Sequence, residues 1–582
     1  MNSLPISAWL PITRDELLAR GLEQVDVVLV SGDAYVDHPS MGHAVIARVI
    51  ESMGLTVAIL PQPNWRDDLR DFKKLGRPKK FFAVTSGNMD SMMNHYTAAR
   101  RLRSDDAYSP GGKAGFRPDR AATVYTKILK SLYPDVPVIL GGIEASMRRL
   151  SHYDYWDDRV MPSILVDSGA DLLVYGMGER PIREIIRLLD SGRPFSSLTT
   201  VLQTAVRIKK GDSLPKQRGW KDAELPSHDE VARDKKAYNR AFVAIERESA
   251  RAGSDVRLVQ ESGNDVVLVN PPYPTMTGAE LDEIYTLPFT RQPHPKYKKR
   301  GAIPAFDMIR FSVNIHRGCF GACSFCTISA HQGRFITPRS KGSILAEIEL
   351  IASDPEFRGV ITDLGGPSAN MYAMKGVDAG LCEKCRRISC IHPGVCSNLS
   401  TSHAPLLDLY SAVRSHPAVR KVTIGSGVRH DLLRGEDGRA YAGALVTRHV
   451  SGRLKIAPEH SEPRVLDLMR KPPFALFEQF HDMFFEIARK HALHLQLVPY
   501  IISGHPGCTL DDMNSLAARV GSMNLHLELV QEFTPSPMTR STAMYYTGMI
   551  PETGEPIPVV RNDLERRRQK DSIVAGRQPT RS

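Results

Sequence analysis

The chain has no run of about 18 apolar residues, so no segment reads as a membrane-spanning helix. Its first residues, Met1-Asn-Ser-Leu-Pro-Ile-Ser-Ala-Trp-Leu10, lack the basic start and long apolar core of a secretory signal. A cytoplasmic protein without a membrane partner is therefore expected. Cysteine is scarce and unevenly spread: none precedes Cys319, seven of the eight fall between Cys319 and Cys396, and Cys508 stands apart. That distribution argues against a disulfide framework, and in a reducing compartment it points to metal. The sequence also lacks internal repeats. Its 42% hydrophobic and 24% charged content are those of ordinary globular chains, and 582 residues are too many for a single core. The net charge of +11 selects no partner, because much of the excess lies in His294–Arg300 and Arg566–Lys570, which read as a solvated linker and a flexible tail. Nucleic acid is only weakly supported as a partner.

What is present is a strand–helix alternation in two stretches. Within residues 1–205, apolar strands at Val25–Gly32, Val57–Leu60, Phe81–Thr85, Val136–Gly142 and Asp171–Tyr175 alternate with amphipathic helices. This predicts a doubly wound α/β domain. Residues 206–304, broken by Asn270-Pro-Pro-Tyr-Pro274 and Gln292-Pro-His-Pro295, read as a connector with some helix. Regularity returns over 305–548, where strands are expected near Arg310–Ile315, Gly359–Leu364, Lys421–Gly425, Arg453–Ala457, Leu495–Ile502 and Leu525–Val530. Their product is a full or partial α/β barrel. Residues 549–582, rich in proline and arginine, are expected to be a basic disordered tail.

The chemistry concentrates where the first barrel strand ends. Arg317-Gly-Cys-Phe-Gly-Ala-Cys-Ser-Phe-Cys326 presents Cys319, Cys323 and Cys326 at gaps of three and two residues. Soft thiolates so spaced on one loop can hold three irons of a cubane, and the next cysteine, Cys382, lies well outside the loop. One iron is left open. Three unrelated thiols or a zinc loop remain the alternatives from spacing alone. A second group, Cys382, Cys385, Cys390 and Cys396, offers four thiols in an insertion at 378–400 among basic neighbours. Structural zinc, an auxiliary iron–sulfur cluster and free thiols are all open there.

Cys-x3-Cys-x2-Cys after a barrel strand resembles the signature of the radical S-adenosylmethionine (SAM) superfamily, and over nearly the whole chain the sequence resembles the YgiQ-type radical SAM family of bacteria. The resemblance implies a [4Fe–4S] cluster on Cys319, Cys323 and Cys326, with SAM at the open iron. It implies cofactor contacts from Asp363-Leu-Gly-Gly-Pro367, namely Asp363, Gly365 and Gly366, although Pro367 replaces the usual terminal Glu of that segment. Ser426 and Arg429 in Ile424-Gly-Ser-Gly-Val-Arg429 resemble contacts to ribose and carboxylate. Lys455–His460 is similar to the fifth-strand segment, Gly504, Pro506 and Gly507 resemble the turn beside adenine, and Phe533–Thr539 marks the barrel's end.

Residues 1–205 likewise resemble the cobalamin-binding-like domain of one branch of radical enzymes. The ligating Asp-x-His-x-x-Gly pattern is missing, and Asp37-His38-Pro-Ser-Met-Gly42 only approaches it, so cobalamin is not expected. A small-molecule pocket along Ser31–Ser40 is plausible at a strand's C-terminal end. The implied activity is reductive cleavage of SAM to a 5′-deoxyadenosyl radical, with an electron donor such as flavodoxin or ferredoxin as partner and the substrate unknown. The alternatives are a methylthiotransferase-like enzyme modifying tRNA or protein, and an iron–sulfur redox or ligand sensor.

Overall fold

The computed structural model describes residues 4–251, 253–523, 525 and 529–575, and they form two compact units. The first unit is built on a nine-stranded sheet. Its strands are β1 (Val27–Ser31), β2 (Val57–Pro61), β3 (Phe81–Thr85), β4 (Val138–Leu140), β5 (Leu172–Val174), β6 (Thr204–Lys209), β7 (Lys221–Glu224), β8 (Val256–Ser262) and β9 (Asp265–Val269). β2, β1, β3, β4 and β5 lie side by side in that order and are all parallel. β1 and β2 are buried at every position, which is why they read as unbroken apolar runs rather than alternating ones. Helices α1 (Gly42–Ser52), α2 (Ala121–Leu132) and α3 (Glu179–Asp190) supply amphipathic crossovers, and the order 2-1-3-4-5 is a doubly wound topology with its switch point between β1 and β3.

Residues 206–304 do not form a separate connector. β6 joins β5 antiparallel, β9 joins β6, and β8 with β7 completes the sheet, while the compact unit itself runs on through Glu283–Arg310. β7 is largely exposed and polar, so its place in the sheet comes from main-chain pairing with β8 and leaves no apolar signature.

The second unit holds the other strand–helix repeat. Its parallel strands β10 (Ser312–Asn314), β11 (Asp363–Gly365), β12 (Lys421–Val422), β13 (Arg453–Glu459), β14 (Gln496–Ser503) and β15 (Leu529–Glu532) follow one another in sequence order. β10 pairs with β11, Val360–Ile361 just before β11 pairs with β12, and β13, β14 and β15 form one sheet. A bridge from Val428 to Ile456 links the segment after β12 to β13. Helices α4 (Lys341–Ala352), α5 (Ala404–Arg414), α6 (Phe474–Lys490) and α7 (Leu510–Ser522) intervene. The described residues thus wind as a partial barrel, since no pairing of β15 with β10 occurs among them.

The tail is also unlike its expectation. Asp563–Ala575 forms a helix, α8, that packs on α7 and β15. Its polar composition conceals the docking, because the buried face is Arg566, Gln569 and Ile573, with one apolar side chain and two that hydrogen-bond. Arg566 donates to the Phe533 carbonyl, and Gln569 accepts from the Gly504 N–H and donates to the Cys508 carbonyl. Residues 576–582 lie outside the described part. No helix among the described residues is long and apolar enough to cross a membrane.

Candidate metal centre

The cysteine loop leaves β10 through a pinched neck. His316–Arg317 pairs antiparallel with Thr337–Pro338, and Cys319 N–H donates to Gly333 O at 3.1 Å. Gly318 adopts φ +88°, and a Cβ there would collide with the Phe335 carbonyl, so this neck admits only glycine without rearrangement. Inside the loop the chain wraps around Gly321. A Cβ at that position would stand 3.4 Å from Cys319 Sγ and 3.8 Å from Cys323 Sγ, so these two thiols meet on one small region. Burial raises the Cys319 thiol, and neighbouring Cys323 adds to it; the same two causes push Cys326 up to about 12. Burial thus keeps these thiols neutral in the free protein, and a metal that binds them takes the thiolates and releases the protons. The donor set therefore fits a cluster on three cysteines.

The other wall of this region is Arg429. Its Nη1 lies 3.4 Å from Cys323 Sγ, while Nε and Nη2 form a bidentate pair with Asp431 at 2.9 and 2.7 Å. Burial opposes its charge, but Asp431 first and then Cys323 hold it firmly protonated. Asn370 fixes the backbone here, its side chain accepting from Arg429 N–H at 2.7 Å and donating to Arg429 O at 3.0 Å. A guanidinium so placed offsets the negative charge of thiolates.

The remaining site residues fall into two groups. Asp363, Gly365 and Ser426 meet where β11 ends: Asp363 accepts from Gly425 N at 2.8 Å, from Ser426 N at 3.2 Å and from the Ser426 hydroxyl. Gly366 lies against the His316 ring, whose two nitrogens have no protein partner and whose pKa burial lowers to about 3. Gly504, Pro506 and Gly507 form a turn after β14, and the cysteine loop is braced to it. Ser324 Oγ and Ser541 Oγ are 2.7 Å apart, His505 Nε2 is 2.7 Å from Ser541 Oγ, and the Phe325 ring meets His505 edge-on. This Ser324–His505–Ser541 brace left no sequence signal beyond a histidine inside the turn. Glu459, inside the Lys455–His460 segment, ends β13 at φ +69° and is buried, and desolvation raises its carboxyl against the pull of Lys471 at 3.7 Å.

The four-cysteine insertion lies directly on the first loop. Cys390 N–H donates to Phe320 O at 3.2 Å, and Ser389 Oγ donates to Phe320 O and Gly321 O at 3.2 and 2.8 Å. Phe320, Met371, Met374, Ile391 and Leu432 form the apolar cluster between them, with Cys319 and Cys390 packed against it.

In the first unit, the loops after β1 and β3 flank the switch point, and several of their polar groups pair with one another, while His38 Nε2 is buried without a hydrogen-bond partner. Arg117 pairs with Asp106 and with Asp33 at 3.0 Å and donates to Ser86 O, and all three side chains are buried. Asn88 N–H donates to Asp33 at 2.7 Å. Burial raises Asp33 to about 6 even beside Arg117. His38 is buried, with Nδ1 accepting from Ser40 N–H.

Two family models match this chain: Radical SAM N-terminal over residues 9–312, and a domain of unknown function, DUF3362, over 528–577. The chain is 54% identical to a UPF0313 protein of Bacteroides thetaiotaomicron, covering 98% of this chain and 94% of that one. It is 48% identical to another from Geobacter sulfurreducens, covering 97% and 92%. Among solved structures it is similar to the radical SAM methyltransferase TsrM from Kitasatospora setae, solved with tryptophan substrate and a SAM analogue, at 14% identity and a TM-score of 0.49 over 95% of this chain and 89% of that one. That likeness is too distant to carry function.

Proposed function

Because the chain belongs to the UPF0313 family and to the radical SAM superfamily, we propose that it is an enzyme that reductively cleaves SAM at a [4Fe–4S] cluster held by Cys319, Cys323 and Cys326. The observation that supports this reading is the meeting of the Cys319 and Cys323 thiols around Gly321, just beyond the C-terminal end of the first barrel strand and facing Arg429. Bound there, the cluster and SAM supply one-electron reduction of the sulfonium, which yields methionine and a 5′-deoxyadenosyl radical that takes a hydrogen atom from substrate.

The chain's own residues do the positioning. Gly366 lets the backbone pass against the His316 ring, whose nitrogens have no protein partner, and Asp363 with Ser426 shapes the adjoining wall. Gly504, Pro506 and Gly507 line the turn assigned to adenine. Arg429, already neutralised in part by Asp431, keeps its Nη1 toward the loop, while Phe320 and Phe325 exclude water. An external one-electron donor such as flavodoxin or ferredoxin is required. Anaerobically reconstituted, reduced protein is expected to form 5′-deoxyadenosine from SAM, and Cys326→Ser to form none. A reduced, intact cluster in the unchanged chain that leaves SAM whole would overturn the reading.

A further inference from the structure

Cys382, Cys385 and Cys390 stand around one buried cation. Arg334 is 3% exposed, and its guanidinium interacts with Cys382, Cys385 and Cys390. Its Nη1 donates to the Arg387 carbonyl, and its buried guanidinium lies beside Cys385 and 4.6 Å from the Phe335 ring centroid. A buried guanidinium beside three of the four sulfurs is a ready counter-charge for metal-ligating thiolates. Other polar groups already point at the sulfurs: Arg387 N–H at 3.4 Å from Cys385 Sγ and Asn398 Nδ2 at 3.4 Å from Cys382 Sγ. The chain also folds back within the group, Cys396 N–H donating to Cys390 O at 2.7 Å.

We propose that Cys382, Cys385, Cys390 and Cys396 hold a second iron–sulfur cluster, with Arg334 as its buried counter-charge. A polynuclear cluster suits the site better than a single zinc ion because the insertion is bonded directly to the Cys319 loop, through Cys390 N–H to Phe320 O and Ser389 Oγ to Gly321 O. Arg334 spans both groups, since its neighbour Gly333 accepts the Cys319 N–H. The geometry therefore joins two thiolate sites through one short backbone network, the arrangement of paired redox centres.

The test uses the full chain, reconstituted anaerobically with iron and sulfide in the presence of equimolar zinc. The variant Cys319→Ala/Cys323→Ala/Cys326→Ala is expected to keep about four irons and four sulfides per chain and a paramagnetic cluster signal on reduction. The complementary replacement of Cys382, Cys385, Cys390 and Cys396 by Ala is expected to lower the unchanged protein's content from about eight irons to about four. If the first variant does not fold, the second gives the same count from the other side. Zinc without sulfide in the first variant overturns the proposal, as does an iron content unchanged by the second. Arg334→Gln should shift the second cluster's midpoint potential downward, because reduction adds negative charge that the guanidinium no longer offsets, and Arg334→Lys should restore part of the shift. A potential indifferent to both changes removes Arg334 from the assignment.

Discussion

At the scale of single residues, conflicts between local cost and native geometry locate the working parts of the second unit. Gly507 holds φ +90°, and a Cβ there would run into Leu468 Cδ1. Gly507→Ala is expected to destabilise the chain by about 2–4 kcal/mol, combining the left-handed backbone penalty with overpacking, and urea denaturation measures it. The Arg429–Asp431 pair makes a different case, since both side chains are largely buried, at 11% and 3% exposure. Removing Arg429 strands a carboxylate that the guanidinium otherwise holds well below its usual pKa against burial. Arg429→Ala should therefore cost about 3–5 kcal/mol, and adding Asp431→Ala should recover a large part of it. A double variant no more stable than the single one would refute a coupled pair.

At the scale of elements, α8 shows how much one polar helix can hold. Gln569 satisfies the Gly504 N–H and the Cys508 carbonyl together, so Gln569→Ala should cost about 1–3 kcal/mol by leaving both buried groups unpaired. Hydrogen exchange at Gly504 should rise with it; protection equal to that of the unchanged chain would place the turn's anchor elsewhere. The same element marks where the sequence stops being legible. The strands β1 to β5, β13 and β14 are legible in the sequence because each buries apolar residues, and the cysteine loop because its ligands are contiguous. α8 attaches through Arg566 and Gln569, and β7 through main-chain pairing, so neither carries an apolar period. The Ser324–His505–Ser541 brace joins residues up to 217 positions apart, and no local pattern announces such a meeting. Asp363 and Ser426 were each marked as site residues, but their bond to one another could not be read before the strands were set side by side.

At the scale of the whole molecule, both units share a sensitivity to acid that follows from how they bury histidine. In the first unit, burial lowers His43 to about 4, and burial together with Arg148 lowers His152 to about 4. In the second, burial is the main cause that brings His460 to about 4 and His505 to about 3. These rings are neutral in the native state at pH 5.5, whereas in the unfolded chain they protonate near 6.5. Below that pH the unfolded state binds more protons, so ΔG of unfolding falls as pH falls. The stability these groups contribute is complete above about pH 6.5 and is lost progressively toward their native pKa values of 3 to 4. Each accounts for a loss of roughly 1 kcal/mol between pH 7.5 and 5.5, shared between the units rather than confined to the metal centre. Urea denaturation of the metal-free chain at those two pH values should show both units weakened, and His505→Asn should reduce the pH dependence in the second unit while leaving that of the first unchanged. A metal-free chain equally stable at both pH values would mean that these rings are not held neutral by the fold.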